Sequence, residues 1–224
     1  MIVLFADAKL VDQRLRSIAH QYNVTIQLRT YNGPLLNDGT AWRFAEFEKW
    51  LTSHESLALN STWVFLTDAH GITFQRNIFE TSVPALTSVV FFASSRLIKQ
   101  DTSLEKQLDE CVSKPVADSW QNRSIIGSSS VFASFMAAKS YAAMMNSELE
   151  RSELAERSNQ SPKCKEEGMQ IRLAYDNSVP QLQIVTADND LFYINAAGAP
   201  MERNDKGKAT TPLGRVPCVV QQLA

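Results

Sequence analysis

A carboxylate and an imidazole stand close together directly after an apolar segment that is typical of a buried strand. The segment, residues 63–67, reads Trp-Val-Phe-Leu-Thr and is followed by Asp68, Ala69 and His70. An α/β protein binds its ligands at the carboxyl ends of its strands, so this placement predicts a ligand site. An aspartate after a strand is also an ordinary turn former or helix cap, and both interpretations are open at this point.

A run of small residues is a second candidate. Gly127, Ser128, Ser129 and Ser130 follow two isoleucines. Small side chains let a ligand or another backbone segment approach closely, and the same residues could equally form a flexible turn. The run does not match a nucleophile elbow, which argues against a serine hydrolase. The sequence also contains neither a Gly-x-Gly-x-x-Gly nor a phosphate-loop lysine motif, which disfavours an unrelated nucleotide-binding protein.

Length and composition fit one domain that spans residues 1–224. Hydrophobic residues make up 44% of the chain, which is enough to bury a core. The formal net charge is -2, so the chain offers no positive field that would attract nucleic acid. We therefore expect a small molecule or another protein as the partner.

The three cysteines, Cys111, Cys164 and Cys218, lack the spacing of a metal site or a redox motif. We therefore expect free thiols in a reducing compartment. The apolar run before Asp7 is too short for a signal peptide, and no later segment reaches membrane-spanning length. If the chain is complete, these features predict a cytoplasmic protein without a membrane segment.

The first part of the chain alternates strand and helix patterns. Strands are predicted at residues 2–6, 24–28, 63–67 and 88–92. Helices are predicted at residues 10–22 and 42–51, where apolar side chains recur on one face. Such alternation is typical of parallel crossovers, so the expected fold class is α/β, with a mixed, mainly parallel sheet flanked by helices.

The second half of the chain is less regular. Residues 135–157 predict a long helix and residues 169–175 a short one. Residues 182–186 and 191–195 flank a polar turn in the manner of a hairpin, and residues 216–221 predict a last strand.

Several segments, taken in order, resemble the glycosyltransferase domain of the procollagen-lysine hydroxylases, which is related to the procollagen galactosyltransferases. Residues 14–19 and 22–26 are similar to the family's first helix and second strand. Residues 66–71, Leu-Thr-Asp-Ala-His-Gly, stand where the family has a strand that ends in Asp-x-x-Asp. Four further segments of this chain resemble family motifs. Residues 89–93 are similar to the family's Val-Val-Phe-Ser-Ala, and residues 126–132 to its Leu-Gly-Ser-Gly-Gly-Phe-Ile. Residues 170–171 stand where the family has Asp-Gln-Leu, and residues 216–221 are similar to its Pro-Val-Val-His.

The resemblance implies a GT-A fold, with a Rossmann-like sheet between helices. It also implies that a sugar is moved from a nucleoside-diphosphate sugar, by family resemblance a UDP-sugar, to a hydroxyl group of a protein or glycan acceptor. The diphosphate is the leaving group, and Mn²⁺ or Mg²⁺ that bridges its oxygens neutralises the charge that develops. Hard cations of this kind take carboxylate oxygens and an occasional imidazole as ligands.

The family's metal ligands carry over only in part. Its first aspartate corresponds to Asp68, which the resemblance implies as a ligand of the metal or of the ribose-phosphate region. Its second aspartate corresponds to Gly71 and its histidine to Gln221, so two of three metal ligands are replaced. Ala69 and His70 complete the nucleotide side of the site, and His70 replaces a tyrosine that lies against the base.

Other family positions imply contacts to the phosphates and the sugar. Arg43 lies where the family has a lysine that approaches the diphosphate, and a guanidinium could bind it with two hydrogen bonds. The alternative for Arg43 is a solvated helix arginine. Ser128, Ser129 and Ser130 would border the sugar. Glu167 is the carboxylate expected near that sugar and is therefore the candidate catalytic residue.

Two hypotheses from different classes follow from this pattern. One is an active glycosyltransferase, with Mn²⁺ or Mg²⁺ in doubt because a single aspartate makes a weak site for a hard cation. The other is a catalytically inactive pseudo-transferase that serves as a binding or structural module. Binding of a nucleotide sugar separates the two. The resemblance implies the secretory pathway if the sequence belongs to a longer chain.

Overall fold

Helices and strands alternate along the chain in a mixed α/β arrangement. The computed structural model describes residues 2–7, 11–29, 41–56, 63–68, 72–80, 89–158, 164–186, 193–195, 202–210 and 214–221. The described strands are β1 (Ile2–Asp7), β2 (Val24–Arg29), β3 (Trp63–Thr67), β4 (Ile72–Phe74), β5 (Val89–Leu97), β6 (Ser124–Ser134), β7 (Leu182–Thr186), β8 (Tyr193–Asn195) and β9 (Val219–Gln221). The described helices are α1 (Gln13–Gln21), α2 (Ala41–Ser53), α3 (Thr102–Cys111), α4 (Lys114–Trp120), α5 (Phe135–Arg157) and α6 (Glu166–Tyr175).

Side chains at the helix starts explain where several of these helices begin. Asp12 precedes α1 and accepts a hydrogen bond from the Leu15 backbone N–H at 2.7 Å. Asp101 precedes α3 and accepts in the same way from Leu104 at 3.1 Å. Both carboxylates satisfy backbone donors that have no partner within the helix. Pro115 lies in the first turn of α4, where its missing N–H costs nothing.

A four-stranded sheet in the order β3-β6-β5-β7 is the largest sheet among the described residues. β6 runs antiparallel to both β3 and β5, whereas β7 runs parallel to β5. The reversal has a structural cause, because two helices, α3 and α4, connect β5 to β6. They return the chain to the end at which β5 finishes, where the Ile98 N–H donates to the Arg123 carbonyl at 2.9 Å.

The expected predominance of parallel pairing is not confirmed. β1 and β2 form a separate parallel pair, and a third sheet has the order β4-β9-β8. In that sheet β9 is antiparallel to β4 and parallel to β8. Three of the six pairings between described strands are therefore antiparallel.

Two sequence-based interpretations of irregular segments are wrong. The run Gly127 to Ser130 lies inside β6, so it is not a flexible turn. Among the described residues the predicted hairpin is not formed either, because β7 and β8 belong to different sheets, in which β7 pairs with β5 and β8 with β9. The partners of both strands are remote in the sequence. A polar turn between two apolar segments does not predict pairing between remote strands.

β5, an inner strand of the four-stranded sheet, is buried on both faces. The β5 side chains Val89, Phe91 and Ala93 belong to a cluster that includes residues of α2, α5 and α6. Val90 and Phe92 belong to a second cluster, on the opposite face. All five residues are at most 3% exposed. Since successive side chains of a strand point to opposite faces, β5 must be apolar at every position here.

α5 is the longest described helix, and it spans the predicted residues from Phe135 to Arg157. Its first half packs into the main cluster through Tyr141 and Met145, which are 1% and 0% exposed. Its second half carries several charged residues. No helix in the described part of the chain is both long enough and apolar enough to cross a membrane.

A disulfide joins two of the three cysteines, which corrects the expectation of free thiols. Cys111 at the end of α3 and Cys164 just before α6 are bonded, with their Cα atoms 4.7 Å apart. They lie 53 residues apart in sequence, and α3 packs against α6. Spacing along the chain could not show this meeting of two helices. A closed loop of this length stabilises the folded state by about 4 kcal/mol in the chain-entropy account. Cys218 is buried and is not part of this disulfide.

Gly168 allows α6 to lie directly against this disulfide. A Cβ atom at position 168 would stand 2.6 Å from Cys111 Sγ, and the disulfide prevents that sulfur from moving aside. Glycine inside a helix costs about 1 kcal/mol relative to alanine. Close packing between α3 and α6 therefore outweighs helix propensity at this position.

The substitution Gly168→Ala tests this packing. With the disulfide intact, we expect the free energy of unfolding to fall by about 1–3 kcal/mol, because the added methyl group overlaps a fixed sulfur. In a Cys111→Ala background the sulfur is gone, so the same substitution should stabilise the helix by up to about 1 kcal/mol. Urea denaturation of the four proteins measures both changes, and the same sign in both backgrounds would contradict the explanation.

Candidate functional site

Asp68 lies at the carboxyl end of β3, as the sequence predicted. Thr67, the last residue of β3, is paired with Ser130 in the neighbouring strand β6. Their hydroxyl oxygens are hydrogen-bonded at 2.7 Å. The Asp68 side chain is 39% exposed, so it is open to solvent and to a ligand. The structure thus brings Asp68 and Ser130, two of the predicted site residues, together at the carboxyl end of β3.

Arg43 reaches this end of the sheet from the first turn of α2. It is only 8% exposed, which excludes the alternative of a solvated helix arginine. Its Nη1 atom donates a hydrogen bond to Asp68 Oδ1, and its Nη2 atom donates to Oε1 of Glu166. The guanidinium also lies 5.0 Å from the centroid of the Phe44 ring. Arg43 therefore joins β3 to the start of α6.

Glu166 is the second carboxylate of the site, and sequence reasoning missed it. It occupies the first turn of α6 and is 8% exposed. One of its oxygens accepts from Arg43, while Oε2 is buried and has no hydrogen-bond partner in the described part of the chain. The amino-terminal end of a helix is a favourable position for a negative charge.

Arg43, Asp68 and Glu166 together form a cluster that we call the arginine cluster. One positive charge faces two negative charges, so its formal charge is -1. A buried charge is costly unless it is paired, and Arg43 and Glu166 are both buried. The partly exposed Asp68 is the member that water can stabilise, and it is therefore the contact that costs least to open.

A second, uncharged hydrogen-bond network lies close to the arginine cluster. The Tyr141 hydroxyl donates to Gln170 Oε1 at 2.8 Å, and Gln170 Nε2 donates to the Gly127 carbonyl at 3.2 Å. Gln170 is fully buried, so these bonds satisfy an amide that would otherwise be costly. Burial raises the pKa of Tyr141 well above its usual range, while the nearby Arg43 opposes that rise.

Glu167, the predicted catalytic carboxylate, faces a different neighbourhood. Burial raises its pKa, the negative Asp101 raises it further, and Arg96 lowers it. Glu166 and Gln170 are four residues apart and share one face of α6, whereas Glu167 lies on the adjacent face. The carboxylate that contacts Arg43 is therefore Glu166, and Glu167 lies near the start of α3.

The remaining predicted residues can be located only in part. Ala69 and His70 lie outside the described residues. Ser128 and Ser129 belong to β6, but only the backbone of these two residues is described. Ser130 is 1% exposed and its hydroxyl faces Thr67. The implied ribose, base and sugar contacts at these positions stay predictions.

Asp68, which the resemblance implies as a metal ligand, is paired with an arginine. Within those residues, no group of three or more histidine, cysteine, aspartate or glutamate side chains is placed to hold a metal ion. Asp68 and Glu166 each already accept a hydrogen bond from Arg43, so the guanidinium occupies the place that a cation would take between them. Arg43 thus places a positive charge between the two carboxylates at this end of the sheet.

No protein-family model matches this chain, and a comparison with curated proteins finds no match to its sequence.

The stability of the arginine cluster can be tested with Arg43→Met, which removes the charge but keeps an apolar side chain of similar length. We expect the free energy of unfolding to fall by about 3–5 kcal/mol, because Glu166 is left buried without a partner. Adding Glu166→Gln to this variant should restore at least part of the loss. Urea denaturation gives the values.

The matched control is Lys139→Met. Lys139 pairs with Glu55 at 3.2 Å, and these side chains are 25% and 53% exposed. Such a pair contributes about 0–1 kcal/mol, so the control should be close to wild type. Equal losses for Arg43→Met and Lys139→Met would show that the cluster is not an energetically important buried pair.

Glu167 gives a prediction for pH dependence. Its pKa is raised above 4.5 in the folded state, so the unfolded chain releases this proton first as the pH rises. The stability contributed by protonated Glu167 is complete below the unfolded pKa and is lost as the pH rises through the folded pKa. Glu167→Gln should therefore gain stability relative to wild type between about pH 4 and about pH 7. Urea denaturation at both pH values tests this, and a gap that is constant or shrinks with pH would be contrary to it.

Proposed function

We propose that this chain is a glycosyltransferase-like domain of the GT-A type that binds a nucleoside-diphosphate sugar, specifically a UDP-sugar. The observation that carries the proposal is the meeting of Arg43, Asp68 and Glu166 at the carboxyl end of β3, beside Ser130. These residues come from four separate segments of the chain. The sequence resemblance assigns three of the four segments to the donor site, and their proximity supports that assignment.

Arg43 provides the positive charge for the diphosphate in this proposal. A guanidinium binds phosphate oxygens with two parallel hydrogen bonds, as it binds carboxylates. The donor diphosphate takes the place of Asp68 on Nη1, since Asp68 is the more exposed of the two carboxylates. Asp68 then turns toward the ribose, and no step requires a resident metal ion.

The transfer itself needs a group that takes a proton. The acceptor hydroxyl oxygen forms a bond to the anomeric carbon of the sugar as the bond from that carbon to the diphosphate oxygen breaks. The hydroxyl proton goes to a carboxylate, and the nucleoside diphosphate leaves. Of the two candidates on α6, Glu166 is favoured over Glu167 because its Oε2 has no hydrogen-bond partner among the described residues and because it lies beside Arg43.

A specific observation favours the second candidate function, a pseudo-transferase without turnover. Both terminal nitrogens of Arg43 donate to carboxylates, and its side chain is 9% exposed. A cluster closed in this way stabilises the fold without any ligand. A binding or structural module would keep these contacts and would have no use for a donor.

The disulfide also bears on the compartment. Disulfides form and persist in oxidising surroundings and are rare in the cytosol. The Cys111–Cys164 bond therefore supports the secretory pathway, in place of the cytoplasmic location expected from free thiols.

Calorimetric titration with UDP and UDP-sugars, with and without Mn²⁺, tests the proposed function. We expect micromolar dissociation constants that do not require Mn²⁺, because Arg43 supplies the charge. The test of Arg43 is made in a Glu166→Gln background, where Arg43→Met leaves no unpaired buried carboxylate. There it should weaken UDP binding by about tenfold or more, as expected for a lost charged hydrogen bond of about 1.5–3 kcal/mol. Lys139→Met should bind UDP as wild type does.

Other outcomes would point elsewhere. UDP binding that needs Mn²⁺ and is abolished by Asp68→Ala would mean that a metal ion held by Asp68, and not Arg43, binds the diphosphate. Absence of binding by any of these nucleotides, to protein with an intact fold, would reject the donor site and leave the pseudo-transferase.

A further inference from the structure

The Cys111–Cys164 disulfide lies very close in the chain to the arginine cluster. Only Lys165 separates Cys164 from Glu166. Since neighbouring Cα atoms are about 3.8 Å apart, the Cα atom of Glu166 must lie within about 7.6 Å of that of Cys164. The place where Cys164 is anchored therefore limits where the Glu166 carboxylate can be.

Cys164 is anchored by two other elements at once. The disulfide attaches it to the last residue of α3. Its backbone N–H donates to Ser152 Oγ of α5 at 2.8 Å, and that hydroxyl donates to the Cys164 carbonyl at 3.3 Å. The start of α6 is thus fixed to α3 by a covalent bond and to α5 by a pair of hydrogen bonds.

Gly168 fixes how closely α6 approaches. A Cβ atom there would stand 2.6 Å from Cys111 Sγ, so the helix backbone touches the disulfide without any side chain in between. A rigid contact of this kind sets the position of the first turn of α6, which contains Glu166.

Glu166 requires such accurate placement. It is 8% exposed, and its contact within the cluster is to Arg43. No capping side chain fixes the start of α6, because the residue before the helix is Lys165 and its side chain makes no capping bond. Loss of the disulfide would remove the covalent anchor of the segment that precedes the buried carboxylate. Among the described contacts, the Ser152 hydrogen bonds and the apolar packing of Cys164 would remain.

We infer that Cys111, Cys164 and Gly168 act as positioning residues for the arginine cluster, so that the redox state of the disulfide controls how firmly Glu166 holds Arg43. The effect on the cluster follows from the geometry alone. The effect on donor binding rests on the proposed function.

The disulfide is open to a reductant. Both cysteines line a surface cavity together with Glu148, Arg151 and Arg172. Glu110 also lines the cavity, and both arginines pair with Glu148. The lining therefore has no excess of positive charge, and the cavity supplies a path for the thiolate, which is the form that attacks a disulfide. A dithiol transfers two electrons and two protons, so that Cys111 and Cys164 become thiols and the reductant becomes a cyclic disulfide.

A double-mutant cycle on thermal stability tests the inference without any ligand. Glu166→Gln is measured in the wild-type background and in a Cys111→Ala/Cys164→Ala background. If the disulfide positions Glu166, the melting-temperature shift caused by Glu166→Gln should be at least about twofold smaller without the disulfide. Cys218→Ala is the matched control, since it removes a buried cysteine that is not part of the disulfide, and there the shift should equal that in wild type. Equal shifts in all three backgrounds would overturn the inference.

Hydrogen exchange of the wild-type protein gives a second measurement that needs no cysteine variant. After reduction by a dithiol, the Met169 and Gln170 amides should exchange about tenfold faster relative to those of Ala142 and Met145 in α5. Equal acceleration of both pairs would mean that the disulfide acts only on global stability, and the inference would fail.

UDP titration of the oxidised and reduced protein separates the two claims. We expect reduction to weaken UDP binding by about threefold or more, because Arg43 loses its fixed orientation. If UDP binds equally in both states, the link from the disulfide to the site is refuted. If UDP binds in neither state, the proposed function fails, while the cycle and the exchange data still decide whether the disulfide positions Glu166.

Discussion

The pairing of one buried arginine with two carboxylates is the interaction on which the rest of the site depends. Arg43 is buried while Asp68 and Glu166 accept its hydrogen bonds, and Glu166 is buried while Arg43 donates to it, so each buried charge is paired. The cluster therefore restricts the relative positions of α2, β3 and α6 more than apolar packing would. A loosened apolar contact costs little stability, whereas an unpaired buried charge costs several kcal/mol. The neighbouring bonds of Tyr141 and Gln170 work in the same direction, since they fix α5 and α6 to the backbone of β6.

This arrangement has two meanings for function, and the same contacts produce both. A guanidinium held beside an exposed carboxylate can exchange that carboxylate for a phosphate, which suits a donor site. The same guanidinium, left undisturbed, is an internal replacement for a bound cation and stabilises the fold by itself. The Asp68 side chain is 39% exposed and that of Glu166 is 8% exposed. Replacing Asp68 by a phosphate is therefore physically reasonable, whereas replacing Glu166 would be costly.

The sequence predicted the elements with strong local patterns and failed where distant pairing decided the structure. β3 and α5 were predicted to the residue, because an apolar run and a long helical stripe are local signals. The partners of β7 and the meeting of Cys111 with Cys164 depend on contacts between remote segments, which spacing does not encode. Glu166 was missed for another reason: α6 was predicted to begin at residue 169, and its true start lacks a capping side chain. With the start of the helix misplaced, Glu166 was not assigned to a face of α6. Its spacing of four residues from Gln170 would have shown that the two side chains share a face.

The order of strands in the large sheet has a consequence for how the protein is made. β6 lies between β3 and β5, and 63 residues separate Thr67 from its partner Ser130. During synthesis, β3 must therefore wait with Trp63 and Phe65 uncovered until β6 has left the ribosome, several seconds later at about 5–20 residues per second. An apolar strand left unpaired for that long is exposed to aggregation and is a natural target for a chaperone. The synthesis of β6 thus sets the earliest time at which the nascent chain can bury the apolar side chains of β3.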